Sequence, residues 1–513
     1  MKHSILYSFL LVISFCLSSF SIQAQSNALQ EGKRLYEHGE YFKALSKFEE
    51  AKQACLASGD KESLFACELK LAESAIRLGN ADEGLAACMA LEDQVTANSV
   101  NEATLKSVKG DALINLGRNA EALESLLEAQ TIFEAAGQQN TDAQADCYND
   151  LGIVYWNNGN SDLALQYLQQ AQTMRVALHG KIHASVADSY NNIGLVNAEI
   201  NTFAAVIHFK NALKIYQQVY DDSHPKLALV LNNLALQYDV QENYEAALKN
   251  LEQVAKIWEV IYPGDHPSKA FANFSIGNVY YHKKDFEKAL IYEEKALKMY
   301  VGLYGRKHPE IANIYNLEGS IHMTQGHFKE AVETFQKAIF ANLSDQEYLT
   351  VYDHADLEGY YNADILLNSL LQKAKALSDY HYNKSLKFKE LTASLTTLEI
   401  ADELVSHMRQ IRLNEKDKLA LGATASEIYE TGVSLAVNMS EVAFKPAIYL
   451  EKAFDFAEKS KSAVLLSAIQ DTNAKEFSGI PQALLTEESE LKASVSLAEQ
   501  KLASNTDVEQ EAM

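Results

Sequence analysis

His183, His224, His266 and His308 recur at intervals of 41, 42 and 42 residues, and Pro225, Pro267 and Pro309 directly follow the last three. Imidazoles on a fixed period raise the question of metal binding first. Zinc needs several nitrogens at about 2.0–2.1 Å from one point. A period of this length instead means stacked helical pairs, in which equivalent positions of neighbouring repeats lie at least the roughly 8–10 Å of helix packing apart. Ligands on successive repeats cannot converge, so no metal is expected. Each His reads as a helix-entry residue that bonds local backbone. Pro after it suits a first helical turn, where its missing N–H is not needed.

Other chemistry finds little support. Carboxylates are abundant, but no pair stands out from the acidic background. His381 and His407 have no Cys or Ser nucleophile in a recognisable motif beside them. The chain has no G-x-S-x-G, no H-E-x-x-H, no phosphate loop and no G-x-G-x-x-G. The expectation is a chain that is not an enzyme and carries no cofactor.

The better candidates are carboxamides. A small residue recurs about ten residues after each His, at Gly194, Ala235, Gly277 and Gly319, with Gly152 one period earlier. Three residues before these positions stand Asn149, Asn191, Asn232, Phe274 and Asn316. A carboxamide offers a donor and acceptors together, so it can bond an extended peptide backbone whatever side chains that peptide carries. Helix periodicity adds Ile153, Trp156, Leu195, Leu236, Asp239, Asn278, Tyr281, Ser320 and Met323 to the same side. The competing reading is that these Asn bond a neighbouring helix and stiffen the stack.

The elements that position these residues show in the small-residue spacing. Gly32, Ala44, Phe48 and Ala51 lie at offsets 0, 12, 16 and 19, and Gly110-Ala122-Leu126-Ala129, Gly152-Ala164-Leu168-Ala171, Ala235-Ala247-Leu251-Val254 and Gly319-Ala331-Phe335-Ala338 repeat them. Ala72-Gly84-Cys88-Leu91 is a weaker copy. The copy at Gly277 has Glu293 in the third place, and the copy at Gly194 is one residue short, with Ala205, Phe209 and Ala212. The first small residue marks a close crossing of two helices, and the Phe or Leu fills the space beside it. Turn residues such as Gly39, Gly79, Gly117, Gly159 and Gly326 lie between the two helices of a pair.

This pattern resembles the tetratricopeptide repeat, with eight copies from about Ala28 to Asn342. From Asp142 the copies lengthen, and His224-Pro225 followed by Asn232-Asn233-Leu234-Ala235 resembles the kinesin light chain subclass. The resemblance implies a concave groove lined by the first helix of each pair. It implies peptide contacts for Asn191, Asn192, Asn232 and Asn233; Asn316 matches at one position, and Phe274 departs from the motif. The implied partner is a protein or peptide.

Composition agrees. With 513 residues, 6 Pro, 22 Gly and 47% apolar residues, the chain reads as folded and helix-rich. A net charge of −24 argues against nucleic acid and against an anionic membrane surface. Lys2, the apolar run Ile5 to Phe20 and Ala24 read as a secretory signal peptide, so the mature chain is expected to be exported without inserting in a membrane. Cys55, Cys67, Cys88 and Cys147 lie in helical apolar patterns and read as small hydrophobes, although Cys55 and Cys67 flank one turn and would be the pair to bridge.

After Asn342 the period dissolves while helical patterns continue. The stretch Phe454 to Ala468 and the segment Phe477 to Pro481 resemble the region preceding the domain of CHAT proteases, which implies either a repeat arm of such a protease or a relative without the enzyme. The expected fold is all-α: a right-handed α–α superhelical solenoid of tetratricopeptide repeats with divergent C-terminal helices. Its parts are a signal peptide (1–24), three repeats (25–141), five longer repeats (142–342), divergent helical repeats or a cap (343–470), and a loop with a terminal helix (471–513). The sequence sets no oligomeric state.

Overall fold

The computed structural model describes residues 27–137, 141–344, 350–357, 359–411 and 415–470. The expected signal peptide and the expected C-terminal loop and helix lie outside these residues. The chain divides into two compact units, 1–181 and 182–513.

The first unit holds four antiparallel helix pairs. They are α1 (27–37) with α2 (Tyr41–Ser58), α3 (Lys61–Arg77) with α4 (Ala81–Leu91), α5 (Val100–Asn115) with α6 (Asn119–Ala135), and α7 (Asp142–Asn157) with α8 (Ser161–His179). The second unit continues in the same manner. Its pairs are α9 (Ala184–Ile200) with α10 (Thr202–Val219), α11 (Pro225–Val240) with α12 (Tyr244–Ile261), α13 (Pro267–His282) with α14 (Phe286–Tyr304), and α15 (Pro309–Thr324) with α16 (Phe328–Ala341). Two further pairs follow, α17 (Ala363–Tyr380) with α18 (Phe388–Ile411), and α19 (Glu415–Val442) with α20 (Pro446–Gln470). An isolated antiparallel bridge joins Leu343 and Tyr360. Each unit is thus the all-α array of hairpins that the spacing predicts. No helix among the described residues is long and apolar enough to cross a membrane.

The spacing works as the offsets require. A Cβ placed on Gly32, Gly110, Gly152, Gly194 or Gly319 would lie 2.5–2.7 Å from Phe48, Leu126, Leu168, Phe209 or Phe335 respectively. The small residue is therefore a socket and the large one, on the partner helix, its plug. The plugs and the flanking Ala are buried, and the core is a series of clusters that bridge neighbouring hairpins, the largest running from Ile339 to Phe456. Gly432 and Phe456 repeat the contact at 2.7 Å in the α19–α20 pair.

Helix ends follow the local sequence. Asp60, Ser99, Thr141, Asn160, Asn243 and Asp285 cap helix starts through their side chains. The turn residue within seven of the pairs has positive φ: 74° at Gly39, 88° at Gly79, 71° at Gly117, 78° at Gly159 and 73° at Gly326, whereas Glu242 (57°) and Lys284 (63°) hold that conformation without being glycine; between α9 and α10 Asn201 is extended instead, at φ −155°. The predicted helix-entry role of the four recurring His is observed: His183, His224, His266 and His308 each accept a backbone N–H two residues on.

Candidate peptide-binding groove

Within each unit most first helices of successive pairs touch one another, as α3 does α5, α5 does α7, α9 does α11, α13 does α15 and α15 does α17, whereas α11 and α13 do not meet to that extent. No two second helices meet to that extent. The first helices therefore form the inner side of each array.

In the second unit this inner side holds a cavity of about 730 Å³. Pro225, Leu229 and Asn232 line it from α11 and Pro267 and Phe271 from α13, at the i, i+4, i+7 spacing that puts residues on one helix face. Pro309 and Glu310 come from α15, Val254 and Trp258 from α12, and Tyr300 and Tyr304 from α14. Asn362 and Ile365, at the start of α17, close one end. That end is held by Asn342, whose Nδ2 donates to the Asn362 carbonyl (2.6 Å) while its Oδ1 accepts the Asn362 N–H (2.9 Å). Leu229 and Phe271 are 51% and 42% exposed, so the lining has apolar surface to offer.

The predicted Asn residues divide by role. Asn233 Nδ2 donates to Asn191 Oδ1 at 3.0 Å, joining α11 to α9, and Asn191 Nδ2 contacts Asn192 Oδ1 at 3.4 Å. Ser369 Oγ on α17 donates to Asn316 Oδ1 at 2.9 Å. Asn278 Nδ2 turns back to the Phe274 carbonyl at 3.3 Å. In the first unit Asn149, buried, donates to Asp150 at 3.1 Å, and Trp156 is half-buried. Tyr281 packs beside Phe286 with ring centres 6.0 Å apart, away from the cavity lining. Of the predicted groove residues, Asn232 alone lines the cavity, and its Oδ1 is buried with no hydrogen-bond partner. Asn191, Asn233 and Asn316 do what the stiffening reading describes.

Sequence reasoning missed the aromatic side of the cavity, Trp258, Tyr300 and Tyr304, and the tyrosines that stack on the recurring His. Tyr220, Tyr262 and Tyr304 each stand four residues before a recurring His. Their rings stack on those imidazoles with centres 3.6, 3.3 and 4.0 Å apart. The Y-x-x-x-H-P recurrence was the available signal. His179 occupies the Tyr position before His183, which breaks the pattern in the first of the four copies.

Charge gathers elsewhere. In the first unit Arg77 of α3 pairs with Asp111 of α5 at 2.9 Å, and Arg175 of α8 with Asp146 of α7 at 2.6 Å. Burial raises the Asp111 carboxyl although Arg77 opposes it, and burial together with Asp111 raises Asp150 well above the usual carboxylate range. In the second unit Glu293 occupies a plug position, 2% exposed, and burial pushes its carboxyl up to about 8. Lys373, buried in α17, is pushed down to about 8 for the same reason. Among the described residues no three His, Cys, Asp or Glu side chains come together so as to hold a metal ion.

Residues 101–175, 185–259 and 227–301 match one family model of the tetratricopeptide repeat, and residues 312–342 match a second. These segments are tetratricopeptide repeats. No curated protein matches the chain. Among solved structures, the apo form of RapI is 14% identical over 75% of this chain and 98% of its own, with a TM-score of 0.51. The apo quorum sensor NprR from B. thuringiensis is 14% identical over 74% of this chain and 98% of its own, also at 0.51. Kinesin light chain repeats from Podosopora anserina are 19% identical over 38% of this chain and 94% of their own, at 0.35. At these identities the likeness to RapI and NprR is one of fold. The tetratricopeptide segments supply α11 to α13 and most of α14, and so most of the cavity wall.

Proposed function

We propose that this protein is an exported scaffold of the kinesin-light-chain-like kind that holds a protein or peptide partner in the groove of its second unit. The observation that carries this reading is Asn232, a residue on the wall of a largely apolar cavity whose carbonyl oxygen is buried and without a donor. A buried acceptor left unmet costs free energy, and a partner that brings an N–H meets it. An extended peptide does so with its backbone while seating an apolar side chain against Leu229, Trp258 and Phe271. Export is supported by the pattern of residues 1–24, and the subclass by the His-Pro and Asn-Asn pairs.

The test is affinity purification of the mature protein beside Asn232→Ala and Phe271→Glu variants. A partner retained by the parent and lost by both variants, with helix content unchanged, supports the groove. A partner retained equally by all three refutes it. The resemblance of Phe454 to Ala468 to the segment before a CHAT domain supports a second reading, that of a substrate-recruiting arm of such a protease. A caspase-like domain in the same or the adjoining reading frame would favour it.

A further inference from the structure

We propose that His224, His266 and His308 form an acid-sensitive set of helix caps, by which a fall in pH releases the starts of α11, α13 and α15 together. The backbone N–H groups of Lys226, Ser268 and Glu310 donate to the Nδ1 atoms of these three residues, each at 3.2 Å. A backbone amide can only donate, so each Nδ1 must carry a lone pair, and the ring must be neutral with its proton on Nε2. A protonated imidazole has N–H on both nitrogens and can cap nothing. It also sets a positive charge against the positive end of the helix. Ser, Asp and Asn caps elsewhere in the chain keep their acceptor across this range.

The surroundings do not restore the cap. His224 faces Tyr220 and lies beside Lys226, whose ammonium pairs with Asp188 of α9 at 2.6 Å. His266 faces Tyr262 of the α12 end and lies near Lys269, which pairs with Glu259 of α12 at 2.8 Å. His308 faces Tyr304 and Tyr300 of α14, with Glu310 of α15 and the uncharged Asn362 before α17 also on the shared wall. A ring face of Tyr welcomes an imidazolium, and so does a carboxylate. Both move the pH at which the ring charges, yet neither gives Nδ1 back its lone pair. The three caps also share one neighbourhood: Pro225, Pro267, Pro309 and His308 all line the cavity. Acid therefore acts on one wall of the molecule at three successive repeats.

The test is hydrogen exchange read by mass spectrometry on the full chain, at about pH 7.5 and about pH 5.5, either side of the roughly 6.5 of an ordinary imidazole. Rates are normalised to the intrinsic rate at each pH. Asparagine caps a helix at either pH, so the comparison is the H224N/H266N/H308N variant. The parent is expected to lose protection about five- to tenfold at the starts of α11, α13 and α15 on acidification, the usual worth of an N-cap, while the variant does not. Protection that is unchanged in the parent, or lost equally in the variant, overturns the proposal. Should the triple variant fail to fold, H266N alone is read. Protection must then persist in acid at α13 and still fall at α11 and α15. No ligand enters the measurement, so its outcome is independent of the groove reading.

Discussion

Asn233 donates to Asn191 at 3.0 Å across two successive repeats, while Asn232, its immediate neighbour, has a carbonyl oxygen that meets no donor. One residue of helix rotation separates a staple from a side chain on the cavity wall. Asn191→Ala is therefore expected to cost about 1–2 kcal/mol of stability, because it leaves the Asn233 amide unpaired inside the stack, and to leave partner capture intact. Asn232→Ala is expected to change stability by less than about 0.5 kcal/mol and to weaken capture. Urea unfolding and a pull-down on both variants decide it. Equal effects of the two on capture would show that the two Asn are not distinct.

Glu293 gives a pH dependence with a definite sign. Its folded-state carboxyl, at about 8, lies above the ordinary 4.5, so the folded chain binds the proton more tightly than the unfolded one. The contribution is fully present below the unfolded value and is lost as pH rises from there through about 8. The Glu293→Leu variant places at this position the plug used at Leu126, Leu168 and Leu251. It is expected to be more stable than the parent at neutral pH by an amount on the order of 2–4 kcal/mol. Its urea midpoint should vary less between pH 5 and pH 8. A parent midpoint that does not fall over that interval contradicts the assignment.

Two sockets should respond differently to one methyl group. At Gly319 a Cβ would sit 2.6 Å from the Phe335 ring, which is itself fully enclosed. At Gly277 the nearest atom is 3.3 Å away and belongs to the Glu293 side chain. Gly319→Ala is expected to destabilise by about 1–3 kcal/mol through overpacking, and Gly277→Ala by clearly less. Thermal unfolding of the pair measures the difference. A smaller loss at 319 than at 277 would contradict the socket account.

The cysteines are expected to be slow. Cys55 and Cys67 have sulfurs 3.9 Å apart, and all four described thiols are free and buried. Burial raises the Cys67 and Cys88 thiols to about 12, so little thiolate is present at neutral pH. A thiol-specific reagent should modify none of the four quickly in the folded chain and all four in denaturant. Rapid modification of any of them without denaturant would overturn this.

The hairpins were legible because their spacing is a contact. The offset of 16 from Gly319 to Phe335 is the distance along the chain between two atoms that touch. The roles of the Asn residues were not legible because two of them find a partner in the following repeat. Asn191 meets an Asn at 233, and Asn316 meets Ser369 in a helix whose sequence has left the period. The cavity also draws Trp258 and Tyr304 from second helices, which a count along the first helix does not reach. The last pair hid for a related reason. Gly432 and Phe456 touch like any socket and plug, but α19 and α20 have 28 and 25 residues, so their offset is 24 rather than 16.

Asn201 ends α9 and starts α10 at once, its Oδ1 accepting from Phe203 and Ala204 at 3.0 and 3.1 Å. That hairpin lacks the extra turn residue its siblings have, and Phe209 still reaches Gly194 because it too arrives one residue early. Adding the missing residue at the bend alone would rotate α10 by about 100° about its own axis and point the ring away from its hole. The fifth hairpin is thus not an interchangeable cassette. Shuffling or recombination within this gene can swap it only as a whole, with its bend and its plug inherited together.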